Sequence, residues 1–188
     1  MIKKYQIIYA DPPWDYTFSH TRSARKIDDY NTISKKEICD FKVKDISAKD
    51  SVLLMWVTFP QIELCFDVFK AWGFTYKTNL FTWVKLNRRD KQPFWGMGYY
   101  TRSNVELCLI GTKGNGLRVK THSIHSVIQH PIMEHSKKPP MIREKIVELF
   151  GDIPRIELFA RKEDSLFPLK DWDGWDVWGN EVESDIKL

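Results

Sequence analysis

The chain has 188 residues, of which 43% are hydrophobic and 29% charged, with a formal net charge of +4; that is enough apolar material for one core and predicts a single domain over residues 1–188. No apolar run approaches the ~20 residues of a membrane span, and MIKKYQIIYADPPW lacks the apolar stretch and small-residue cleavage site of a secretory leader, so a membrane protein is excluded and a cytoplasmic one expected. Cys39, Cys65 and Cys108 are odd in number, far apart and set in apolar patterns, which argues for reduced core residues and against a disulfide framework.

KKYQIIYA reads as a strand that ends at Asp11, because Pro12 and Pro13 have no amide hydrogen with which to continue a ladder. The polar, aperiodic stretch near 15–30 is expected to be a mobile loop. SKKE at 34–37 is a candidate capping box opening a short helix through Phe41. VLLMWVT (52–58) is strand-like, and PQIELCFDVFKAWGF spaces Ile62, Phe66, Phe69 and Ala71 or Trp72 as a helix stopped by Gly73. NLFTWVK (79–85) and NVELCLIGT (104–112) read as strands joined by a mobile loop over 86–103, and 113–135 as an irregular, mobile connection. KPPMIREKIVELFGD predicts a helix with Ile142, Ile146, Leu149 and Phe150 on one face and Gly151 at its end, the prolines suiting its first turn. RIELFA (155–160) closes the series as a buried strand. Such alternation predicts an α/β domain with a mainly parallel sheet flanked by helices, whose ligands lie at the carboxyl ends of the strands.

Two stretches carry chemistry. Between the two middle strands, KLNRRDKQPFWGMGYYTR sets Lys85, Arg88, Arg89, Lys91 and Arg102 against a single Asp and interleaves them with Phe94, Trp95, Tyr99 and Tyr100. Cations that meet phosphates beside rings that stack on bases suit a nucleic-acid surface, although a solvated loop with aromatics tucked on the core reads equally well. The other stretch is DPPW, residues 11–14. An acid at the end of a strand, a carbonyl turned out of the ladder at Pro12, a backbone stiffened by Pro13 and an indole at Trp14 form a slot for a planar amine. The exocyclic amine of adenine is a poor nucleophile. Two acceptors on its hydrogens would turn its lone pair toward a methyl donor, and a base in a duplex would have to be flipped out to reach them, stacking on Trp14.

The blocks YADPPW, DYNTISKKEI, LLMWVT, GMGYYTRSNVELCLIGTKG, HSKKPPMI, RIELFAR and WDVWGNEV, in this order over nearly the whole length, resemble the MT-A family of adenine-N6 methyltransferases. The resemblance implies a Rossmann-like fold with permuted motif order and S-adenosylmethionine as cofactor. By matching position, Asp11, Pro12, Pro13 and Trp14 are the catalytic motif. Lys138 would approach the methionine carboxylate, Arg161 the ribose, and Asn180 with Glu181 the nucleoside part; Asp11, Glu157 and Phe159 complete the cofactor set. Tyr30 matches a tyrosine of the target pocket; Lys85, Arg88, Arg89, Trp95, Tyr99 and Arg102 of the basic and aromatic loop, together with residues 16–30, are expected to form the substrate-binding surface. Lys162, Glu163 and Asp164 depart from the family pattern after the arginine, so contacts there do not carry over, although Glu163 or Asp164 could still accept ribose hydroxyls.

The four histidines His122, His125, His130 and His135 lack the tight pairing of a zinc site, and no metal is expected. Some members of this family are silent subunits; such partners lose the acidic motif, which is intact here. DNA is expected as the substrate, RNA is the alternative, and a homodimer is left open.

Overall fold

The computed structural model describes residues 3–15, 32–98, 100–133, 137–161 and 174–188. Its first element is the strand that the double proline ends, β1 (Tyr5–Ala10). Six more strands join it: β2 (Ser47–Val57), β3 (Thr75–Leu86), β4 (Val105–Lys113), β5 (Val127–Pro131), β6 (Arg155–Leu158) and β7 (Asp176–Trp178), in the spatial order β5-β3-β4-β2-β1-β6-β7. β1 pairs in parallel with β2 and β6, β6 with β7 and β3 with β5, while β4 runs antiparallel to both β2 and β3. Every described strand except β4 therefore points the same way. β1 stands where the chain leaves toward β2 on one side and later returns to β6 on the other, the place at which sheets of this kind open a crevice.

Helices cover both faces. On one, Ile8, Ala10, Leu53 and Met55 meet Ile38 of α1 (Lys35–Asp40), Val43 and Ile46 of α2 (Val43–Ile46), and Cys65, Val68 and Phe69 of α3 (Ile62–Ala71). On the other, Ile7, Tyr9, Leu54, Trp56, Phe81 and Trp83 lie under Ile142, Ile146, Leu149 and Phe150 of α4 (Met141–Phe150), the four residues its periodicity singles out. Each such side chain contributes about 1.5–3 kcal/mol by leaving water. Covered on both faces, the inner strands read as unbroken apolar runs instead of alternating ones, as in β2 from Val52 to Val57. The fold is the Rossmann-like α/β sheet expected from the sequence.

The local signals at the first helix are met: Ser34 Oγ accepts from the Glu37 amide at 3.3 Å and Glu37 Oε2 accepts from the Ser34 amide at 3.0 Å, closing the capping box. α3 ends at Gly73, whose φ of +81° favours glycine.

Two expectations need correction. The segment 113–135 is not irregular throughout, for it contains β5. That strand sits at the sheet edge with only Ile128 fully buried, so its apolar pattern is too thin to stand out among Ser, Gln and His. The buried face of α3 is Cys65, Val68 and Phe69, continued by Trp72; Ile62 and Phe66 lie at its margin. The segment 86–103 is a tethered excursion, bridged between Leu86 and Pro93 and pinned by bonds from Phe94 N to Lys85 O and from Lys85 N to Asn104 O, both 2.8 Å.

Candidate active site

Asp11 follows the last residue of β1 and is held from both neighbouring strands. Its amide donates to Leu158 O of β6 at 3.4 Å, and the indole of Trp14 donates to Trp56 O of β2 at 3.0 Å. Between them the Trp14 amide closes a tight turn onto Pro12 O at 2.9 Å, and Pro13 O accepts from Ile33 N at 3.0 Å. Gln61 Nε2 secures the exit by donating to Asp15 O at 2.8 Å. Two prolines and five hydrogen bonds thus fix the backbone on which the acid is mounted. Pro12 O does leave the ladder as expected; one of its two lone pairs is taken by Trp14 and the other can accept.

Trp14 departs from its expected part. Its ring is buried in the core with Ile38, Met55 and their neighbours, so it braces the motif from beneath instead of offering a flat wall to a base. Among the described residues an open ring at this edge belongs to Phe59, which begins the 3-10 turn after β2 and is more than half exposed. The sequence reading passed over it. Its signal is an aromatic one residue past the carboxyl end of a buried strand.

The electrostatics of Asp11 come from a chain of four alternating charges. Lys138 Nζ donates to Asp11 Oδ2 at 2.7 Å and approaches Glu106 Oε2 at 3.3 Å, and Glu106 in turn accepts from Lys85. Lys138 precedes α4, Glu106 lies on β4 and Lys85 on β3, so three elements converge on the motif. The middle members, Lys138 and Glu106, are 11% and 7% exposed, whereas the ends, Asp11 and Lys85, are 28% and 20% exposed. Asp11 is the end that borders the motif. Burial disfavours both middle charges, but Asp11 and Glu106 outweigh it and raise the pKa of Lys138, while Lys138 and Lys85 outweigh it and lower that of Glu106. The ammoniums of Lys138 and Lys85 also lie 5.6 Å and 5.1 Å from the ring centroids of Trp56 and Trp83, within the range of cation–π attraction. Glu106 went unrecognised in the sequence, where a single acid inside NVELCLIG was the available signal.

The other expected cofactor residues gather at the same edge without all being open to a ligand. Glu157, on β6 between β1 and β7, is buried and accepts from Arg143 Nε of α4 at 2.6 Å. Phe159 has φ +62°, a conformation costly for a bulky side chain and one that gathers at functional sites. Its ring is packed edge-on against Phe41 and Trp178 at centroid distances of 5.6 and 5.3 Å. Arg161 is half-buried just past β6, and Asn180 and Glu181 are exposed just past β7. Of the substrate-binding set, Lys85 joins the charge chain, Arg88 Nε donates to Ile132 O at 2.9 Å, and Arg102 lies 5.7 Å from the ring of an exposed Trp95. Arg89 is exposed. Tyr30, Tyr99, Glu163 and Asp164 fall outside the described residues, as do most of the 15–30 loop and His135.

Burial pushes the Cys65 thiol up to about 12 and that of Cys108 well above its ordinary value, which suits inert core residues and no nucleophile. Among the described residues no group of three or more His, Cys, Asp or Glu could hold a metal ion, and no helix is long and apolar enough to cross a membrane.

Comparison with known proteins points the same way. The family model described as MT-A70 matches residues 5–181. The type II methyltransferase M.MunI of a Mycoplasma species is 33% identical over 96% of this chain and 78% of its own length. A Drosophila melanogaster N(6)-adenosine-methyltransferase MT-A70-like protein is 29% identical over 97% of the chain, and the human N(6)-adenosine-methyltransferase catalytic subunit METTL3 is 27% identical over 97%. The chain spans under a third of these last two relatives, 28% and 29% of their lengths.

Proposed function

The chain belongs to the MT-A70 family of methyltransferases, and from that membership and the mounting of Asp11 we infer that it methylates the N6 amine of adenine in DNA. The observation that carries the mechanism is the grip of Lys138 on Asp11 at the carboxyl end of β1. With Oδ2 held, the carboxylate has one orientation at the lip of the crevice, next to Pro12 O, and the two oxygens can each accept a hydrogen of one amine. The nitrogen would then direct its lone pair away from the ring and bond to the methyl carbon as that carbon's bond to the donor sulfur breaks, its electron pair leaving with the sulfur, and would shed one hydrogen as a proton to the Asp11 carboxylate. Preorganisation matters here because an acceptor that had to rotate into place would lose part of the orientational advantage.

S-adenosylmethionine is the donor on this reading, and the groups at the carboxyl ends of β1, β6 and β7 fit its parts. Lys138 would meet the methionine carboxylate, though as a cation already shared by Asp11 and Glu106; Arg161, Asn180 and Glu181 would meet the ribose and base. When bound, S-adenosylmethionine supplies an electrophilic methyl group on its sulfonium sulfur. Phe59 is the ring we assign to stacking on the extruded adenine, in place of Trp14.

DNA is favoured over RNA because a relative matched along most of both chains is named a type II methyltransferase and not an adenosine methyltransferase. The RNA reading rests on the adenosine methyltransferases, which share lower identity over a small part of their length. The discriminating test is nucleoside analysis after incubation with labelled S-adenosylmethionine and matched DNA and RNA of one sequence. N6-methyldeoxyadenosine is the expected product; label in N6-methyladenosine alone would reverse the choice of substrate.

A further inference from the structure

The excursion between β3 and β4 has a construction that the chemistry at Asp11 does not require. Its first part is a tight turn, closed by Asn87 N donating to Gln92 O at 2.8 Å and by Gln92 N donating to Asp90 Oδ1 at 3.0 Å, with Lys91 at φ +58°. Its second part brings two backbone segments into contact: a Cβ on Gly96 would stand 1.8 Å from Ser103 O, and one on Gly98 would stand 2.0 Å from Thr101 O. Only glycine permits that approach. Among the described residues, the side chains that alternate with these glycines, Trp95 and Met97, face outward. Trp95 and Met97 are 76% and 85% exposed, and Tyr100 near the tip is 94% exposed.

Large apolar side chains held this far into water are unfavourable unless something covers them. Around them the charge has one sign: Arg88, Arg89, Lys91 and Arg102 are exposed, with Asp90 the one acid among them, its carboxylate bonded to the turn. Arg102 also lies over the Trp95 ring at 5.7 Å, which joins a phosphate-seeking group to a stacking one. A polyanion with apolar faces between its charges complements this surface. The root of the excursion is Lys85, the end of the charge chain that reaches Asp11, so the exposed rings rise from the rim of the site.

We propose that this glycine-clasped excursion is a wedge for double-stranded nucleic acid: Trp95 and Met97 enter the base stack beside the target adenine while the flanking arginines hold the neighbouring phosphates. The inference rests on the adenine-methyltransferase reading and extends it by assigning how a paired adenine is released. Inserted apolar side chains unstack a base step and occupy the space left by the extruded base.

The test begins by expressing the chain in cells lacking adenine methylation and sequencing their DNA for methylated positions, which defines a target duplex. Wild type and the Trp95→Ala/Met97→Ala double variant are then compared on that duplex, and on one with an abasic residue opposite the target adenine, which is already unpaired. Loss of about 10- to 100-fold in methyl transfer to the paired target, the scale of one or two stacking contacts, with a clearly smaller loss on the unpaired target, is the expected result. A duplex carrying 2-aminopurine at the target position should brighten with wild type and stay dark with the variant, although fluorescence anisotropy shows both bound. Equal loss on both duplexes, equal activity on both, or undiminished brightening with the variant would overturn the wedge. A fall from dimer to monomer in the variant by analytical ultracentrifugation, with parallel loss on both duplexes, would assign the surface to a second copy of the chain instead. Absence of adenine methylation by wild type on DNA and RNA alike would remove the enzyme reading itself, absence on DNA alone would remove only the choice of DNA, and either would remove the wedge.

Discussion

Glu106 and Lys138 carry charges into an interior that tolerates them only as partners, so removing one strands the other. Glu106→Ala leaves two lysines facing each other across the space of the lost carboxylate and should cost about 3–5 kcal/mol of stability, measured by urea unfolding; Glu106→Gln should cost less. The pH dependence has a definite sign. The folded pKa of Glu106 is depressed, so its stabilisation is present above the ordinary carboxylate value of about 4.3 and is lost as pH falls through the lower folded value. That of Lys138 is raised, so its contribution is complete below about 10.4 and is lost as the pH climbs through the higher folded value. The contributions of these two groups should therefore stay level between these limits, and Glu106→Gln should flatten the acid limb; an unchanged limb would place the titrating group elsewhere. Lys138→Ala should weaken binding of S-adenosylmethionine and also free Asp11 to rotate, lowering turnover; calorimetry showing an unchanged Kd would remove Lys138 from the cofactor site while leaving its role toward Asp11. At Phe59, substitution by Ala should raise KM for nucleic acid about tenfold by removing one stacking contact, and an unaltered KM would withdraw the ring from the target pocket. The place of Asp11 at the end of a strand was legible in the sequence. The part played by Trp14 was not, because an indole after a strand serves a pocket or a core equally well, and only its bond to Trp56 O across the β1–β2 gap decides.

At the scale of elements, local chemistry predicts well wherever the determinants are local. The Ser34–Glu37 box sits where its spacing places it, and Ser34→Ala should cost about 1 kcal/mol of stability by opening one end of α1, a shift readable in the thermal midpoint. α4 buries the four residues its periodicity picks out. α3 is harder to read, since Ile62, Phe66 and Phe69 and the true stripe of Cys65, Val68, Phe69 and Trp72 both fit helical spacing, and the choice depends on which side faces β2. β5 escapes the sequence for a related reason: an edge strand with one fully buried residue draws its identity from the pairing with β3, which no local pattern records. The antiparallel direction of β4, which brings Glu106 to the crevice end of the sheet, follows from a reversal through the 86–103 excursion and was likewise absent from the strand pattern.

For the whole molecule, the topology explains why residues as far apart in sequence as 11, 85, 106, 138 and 161 meet at one edge. Strands that point one way deliver their last residues to a common rim, β4 delivers its first, and α4 begins there with Lys138 just ahead of it. The Rossmann-like sheet and the family resemblance were both readable in advance, and the order of the motif blocks specified which rim residues to inspect. The most direct measurement is methyl transfer from labelled S-adenosylmethionine to DNA by wild type and Asp11→Ala side by side, with cofactor affinity measured for both. The variant should lose transfer by on the order of 10²–10⁴-fold, the scale of a positioned acceptor at a reacting proton, while still binding the cofactor. Undiminished transfer by Asp11→Ala would contradict the assignment of the amine acceptor to the end of β1.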